Sequence, residues 1–164
     1  MTPRSQLVSA TVHHDVSCDP LAAWEFQAGL DPVSYYPAYG PLPAVVGVRD
    51  QTGDWRTPGH ERTLELSDRG SVIERLTDVS SPTFFGYDLR DFQKLFGHLV
   101  SGGRAEWSFE KSALGTTIQW TYTFNALPGR RWIVALIVRA AWKPYMERVL
   151  ARIAADTDLS TRSA

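Results

Sequence analysis

Three stretches of the chain place an ionisable or polar side chain inside an otherwise apolar set. In the first, Gln6 to Val16, a period of two puts His14 on the face of Val8, Ala10, Val12 and Val16, with His13 and Asp15 on the other. An imidazole titrates near neutrality, which makes His14 the first candidate for a general acid or base; its plainer role is a histidine satisfied by one neighbouring carbonyl or tyrosine. In "HERTLELSDRGSVIERL" two strands meet through a turn around Asp68 and Gly70. That pairing sets Arg62, Leu64 and Leu66 on one face, and Val72, Glu74 and Leu76 on one face of the partner. A lone charge there is expensive, so Arg62 and Glu74 either neutralise each other or orient a carbonyl or hydroxyl of a ligand. Tyr87, which shares a face with Phe85 in "FFGYDL", is placed to polarise a ligand carbonyl or simply to fill a core.

Other chemistries lack their signatures. Cys18 falls at a strand end, and no set of Cys, His and carboxylate residues has zinc-site spacing, so no metal is expected. GxGxxG, GxxxxGK[ST] and GxSxG are all absent, which leaves any reaction cofactor-independent. The balance of 17 basic and 18 acidic residues, with no basic run, argues against nucleic acid as a partner. A single cysteine, an amino terminus without a signal-like apolar run, and no apolar stretch long enough to span a bilayer point to a cytoplasmic protein without membrane insertion.

The elements that must position these groups follow from periodicity. The 164 residues, 43% of them hydrophobic, suit one domain over 1–164 with an ordered core at about 7–156. After the first strand, Asp19 and Pro20 start a short helix with Leu21, Trp24 and Ala28 at helical spacing. A proline-rich segment follows, in which Tyr35, Tyr36 and Tyr39 gate or cover a cavity mouth. From Ala44 to about Gly129, six strand signals separated by short turns imply antiparallel neighbours. In the last of them Ile118, Trp120, Tyr122 and Phe124 alternate with polar residues. Helical spacing then runs from Arg131 to Asp156, about 39 Å at the usual rise, with Pro144 bending the helix rather than ending it. The tail "TDLSTRSA" reads as disordered. An α+β fold in which a curved sheet wraps the long helix buries both apolar faces.

This order, with "PGHERTLELSDRGSVIERL", "AEWSFE", "GTTIQWTYTF" and "AAWKPYMERVL", resembles the START-like or SRPBCC superfamily, and most nearly its polyketide cyclase/dehydrase branch. The resemblance implies a helix-grip fold: a seven-stranded antiparallel sheet around the carboxyl-terminal helix, with an apolar cavity between them. It also implies a hydrophobic or aromatic small-molecule ligand for a monomer or homodimer. Trp107, Phe109, Trp120, Tyr122, Phe85, Trp142, Tyr145 and Tyr36 are then expected as cavity walls. Three functions follow in order: enclosure of a polyketide-like molecule with cyclisation or dehydration by His14, Tyr87, Glu74 and Arg62; non-catalytic binding or carriage; and a protein-interaction module.

Overall fold

The computed structural model describes residues 6–163. Strand β1 (Leu7–Val16) is followed by helices α1 (Pro20–Ala28) and α2 (Pro32–Tyr35). Five strands come next, interrupted once: β2 (Val45–Arg49), β3 (Glu61–Leu66), β4 (Ser71–Ser80), β5 (Phe84–Arg90), helix α3 (Lys94–Gly97), and β6 (Val100–Ser112). Strand β7 (Gly115–Ala126) leads into α4 (Arg131–Ile137), a π turn (Val138–Trp142) and α5 (Lys143–Arg162). The strands form one antiparallel sheet in the order β1-β7-β6-β5-β4-β3-β2. Each strand from β2 to β6 pairs with its successor, through short turns except for the longer β2–β3 and β5–β6 loops, and β1 closes the far side by pairing with β7 along its whole length. The long helix crosses the concave face. This is the helix-grip arrangement.

Local chemistry accounts for the joints. The Asp19 carboxylate accepts from the Ala22 amide and Pro20 takes a first-turn position where a missing donor costs nothing. Trp24 and Ala28 are buried as helical spacing requires, whereas Leu21 is exposed. Asp31 caps α2 in the same way. The β3–β4 turn carries Arg69 at φ 68°, its amide donating to the Leu66 carbonyl at 3.0 Å, which fixes the register Arg62 opposite Glu74 and Leu64 opposite Val72. Pro144 leaves the carboxyl-terminal helix continuous. Before it the helix widens into the π turn, where the Lys143 amide reaches the Val138 carbonyl five residues back.

Two expectations are corrected. The carboxyl-terminal tail is helical to Arg162: Thr157 is fully buried with its hydroxyl donating to the Ile153 carbonyl at 2.7 Å. The next residue, Asp158, accepts from the amide and hydroxyl of Ser17 at 2.8 and 2.9 Å. The second correction concerns His14, which is exposed although Val12 and Val16 are buried. β1 is an edge strand with no neighbour beyond it among the described residues, and the His14 ring turns to meet the Asp15 carbonyl at 2.9 Å through Nδ1.

Along the inner face of β6 the side chains shrink from Phe109 and Trp107 to Ala105 and Gly103. The large end is sealed: Trp24 of α1 meets Phe85 edge-on at 6.5 Å, and Trp107 stacks on Trp120 at 4.6 Å. At the small end a Cβ on Gly103 would lie 3.5 Å from Tyr122 and 3.6 Å from Phe124, so both rings lean over that position. Space is left at this end.

Candidate functional site

A cavity of about 120 Å³ opens at the small end of the sheet. Five elements supply most of its walls. β3 and β4 contribute Leu64, Val72 and Glu74; β5 contributes Tyr87 and Leu89; β7 contributes Trp120, Tyr122 and Phe124; and the long helix contributes Trp142 and Tyr145. Tyr36, Leu42 and Val45 close it from the proline-rich side, and Phe92 and Phe96 from around α3. Among the lining residues Pro41, Asp68, Gln93 and Leu95 are exposed, which places the mouth between the Pro41 loop, the β3–β4 turn and α3.

Glu74 is the one buried charge on these walls. Arg62 Nε donates to Glu74 Oε2 at 2.7 Å, and both side chains are over nine-tenths buried. Arg62 stands behind Glu74 rather than on the cavity wall, with its guanidinium 4.0 Å from the ring centroid of Trp55. Trp55 in turn packs edge-on against Tyr87 at 5.8 Å. The pair is thus held from behind by a tryptophan and presented from the front by β4. Its charges are desolvated together, which only a close hydrogen-bonded geometry can offset.

Four phenols surround the carboxylate. Burial pushes the hydroxyls of Tyr36, Tyr87, Tyr122 and Tyr145 well above the ordinary tyrosine range, and the charge of Glu74 adds to the effect at all four. They are therefore hydrogen-bond donors at neutral pH. The indole Nε1 atoms of Trp120 and Trp142, both wall residues, are buried without an acceptor among the described residues. The arrangement joins one carboxylate acceptor to several neutral donors on an apolar, aromatic ground.

Of the residues singled out from sequence, Glu74, Tyr87, Tyr36, Trp120, Tyr122, Trp142 and Tyr145 meet at this cavity, and Arg62 supports it. Phe85, Trp107 and Phe109 do not line it: they share the inner face but belong to the sealed end, at 3%, 0% and 1% exposure. His14 lies outside it. Tyr35 and Tyr39 line a separate groove of about 190 Å³ with Arg148 and Arg152, so of the three loop tyrosines only Tyr36 reaches the cavity. Sequence reasoning missed Trp55 and the α3 segment. The signal for α3 was present: Phe92, Leu95 and Phe96 put three large apolar residues into a connection longer than a hairpin needs. Among the described residues no cluster of His, Cys, Asp and Glu could hold a metal.

Fold and cavity together define a START-like helix-grip protein. The chain belongs to the family described as polyketide cyclase / dehydrase and lipid transport, whose model matches residues 8–157. No curated protein matches the sequence. Among solved structures, the di-domain ARO/CYC StfQ from the steffimycin biosynthetic pathway superposes with a TM-score of 0.69 at 13% identity, covering 98% of this chain and 54% of that one. Ara h 8.0201 superposes with a TM-score of 0.59 at 10% identity, covering 91% of this chain and 99% of that one. At these identities the likeness is one of fold.

Proposed function

We propose that the protein encloses a small, ring-bearing apolar molecule between sheet and helix, and that Glu74 accepts a proton from it. The observation that carries this reading is the position of Glu74, a buried carboxylate on an aromatic cavity wall with only Oε2 engaged by Arg62. Oε1 stays outside that bond, available to a C–H beside a ligand carbonyl. The neutral phenols of Tyr87 and Tyr122 are suited to receive the developing enolate oxygen, where a fixed donor in a dry site is worth most. The enolate carbon then attacks a second carbonyl of the same molecule, that oxygen takes up the proton, and loss of water completes a cyclisation and dehydration. Arg62 acts here through Glu74 as a positioning residue, and the exposed His14 takes no part.

Size narrows the ligand. A cavity of roughly 150 Å³ holds a benzene, while drug-sized ligands occupy about 300–1,000 Å³. The resting cavity of about 120 Å³ suits one ring. A larger substrate must displace Leu95 and Phe96 of α3 on entry. The family's description supports an apolar or polyketide-like ligand over a nucleotide or a sugar.

Native mass spectrometry of the purified protein, with and without one- and two-ring aryl ketones, tests enclosure. Deuterium exchange at the ketone α-carbon in D₂O tests proton transfer. Glu74→Gln is expected to lower exchange about 10²–10⁴-fold, the usual span for a positioned base, with affinity changed less than tenfold. His14→Ala is expected to leave both unchanged. Wild-type binding without exchange reduces the protein to a carrier, and absence of binding removes the reading altogether.

A further inference from the structure

From Lys111 to Met146 the chain holds no Asp or Glu, while it holds Lys111, Arg130, Arg131, Arg139 and Lys143. The last four surround α4 and the π turn and are all exposed. None of the four enters an ion pair among the described residues; the other arginines with carboxylates in reach, such as Arg90 and Arg104, are paired at 2.6–3.1 Å. Glu147 lies one turn beyond Lys143 without bridging to it, and Asp91 is taken by Arg90.

Between these cations sits exposed apolar surface. Trp132 is 68% exposed and Leu136, one turn away on the same helix face, 49%. A third residue belongs to the adjoining loop: Leu95 of α3 is 59% exposed, and the Leu127 amide, just before α4, donates to the Leu99 carbonyl, just after α3, at 2.8 Å. α3 borders the cavity mouth, so this surface and the mouth share one end of the molecule. A bare tryptophan beside a leucine in a ring of free cations is the pattern of an interfacial helix.

We infer that α4, with the adjoining α3 loop, docks on an anionic lipid bilayer, Trp132 and Leu136 entering the headgroup layer while Arg130, Arg131, Arg139 and Lys143 meet lipid phosphates. Charge complementarity selects this occupant. A second copy docked through the same face by two-fold symmetry brings four cations against four, and a neutral surface leaves them uncompensated. Contact of this kind lies in the plane of the interface. It needs no spanning helix, and among the described residues none is long and apolar enough to be one.

Vesicle flotation of the full chain tests the docking face, using phosphatidylcholine alone and phosphatidylcholine mixed with phosphatidylglycerol. Binding is expected only to the mixed vesicles, and is expected to weaken with added salt. Arg131→Gln with Arg139→Gln should weaken it about 30-fold, each basic side chain near an anionic surface being worth about 1 kcal/mol, or about fivefold. Quenching by brominated lipid should fall in Trp132→Phe. Lys111→Gln, on the hairpin at the opposite end of β6, should change nothing. Unchanged circular dichroism shows that the exposed substitutions leave the fold intact. No flotation of the wild type with anionic vesicles, equal flotation of the double variant, or tighter retention by duplex DNA at equal phosphate concentration overturns the assignment. None of the substituted residues lines the cavity, so ligand enclosure is tested independently.

Discussion

Arg62 and Glu74 meet at 2.7 Å with almost no solvent to screen them. Removing one member strands the other, so Arg62→Met is expected to cost about 3–5 kcal/mol in urea denaturation, whereas Arg62→Met with Glu74→Leu should recover most of that loss. A double variant as unstable as the single one would show that the Trp55 contact, not the charge balance, carries the stability. This pair was legible because Asp68 and Gly70 announce the turn, and a turn fixes which residues oppose each other. His14 was misread for a related reason. Period two reports the side of a strand on which a residue falls, not whether anything covers it, and on the edge strand β1 the ring stays exposed. Trp55 had no such handle, since it sits in an irregular loop at φ 62° and reaches Arg62 only through the tertiary fold.

At the scale of elements, the last turns of α5 are tied to the residue that follows β1. Asp158 accepts from both donors of Ser17, and Asp158→Ala is expected to cost about 1–2 kcal/mol for two lost hydrogen bonds. Hydrogen exchange should then speed up selectively from Thr157 to Arg162; uniform protection across α5 would refute the tether. These residues read as a disordered tail because six of the last eight are polar or charged. Polarity misleads where a hydroxyl can bond within its own helix, as Thr157 does to Ile153 while fully buried. The strands and the long helix, by contrast, declare themselves through periods of two and 3.6 that a few bulges and one π turn do not obscure. What periodicity could not show was which end of the shared inner face is filled. That was decided by α1, whose Trp24 seals Phe85 and its neighbours, and by the taper from Phe109 to Gly103 along β6.

For the whole molecule, the four buried phenols set the alkaline limit. Their hydroxyls are raised in the folded state above the ordinary value of 10, so below pH 10 both states carry the proton and stability is fully present. Above pH 10 the unfolded chain releases protons that the folded one retains, and stability falls as pH rises, by up to about 1.4 kcal/mol per phenol for each pH unit. Thermal melts from pH 7 to 11 should be flat to about pH 9 and then drop, with a shallower drop in Tyr122→Phe; a slope indifferent to that change would contradict the burial-driven shift. The widened turn ahead of Pro144 bears on the same scale. A proline has no amide hydrogen to offer the preceding turn, so the long helix forgoes one backbone bond where its register returns from five residues to four. The segment carrying Trp132 and the free arginines is thus set off from α5 by a change of register, while Val134 and Val138 keep its inner side in the core. A tilt of that segment would reach the cavity wall through Trp142, which sits in the π turn itself.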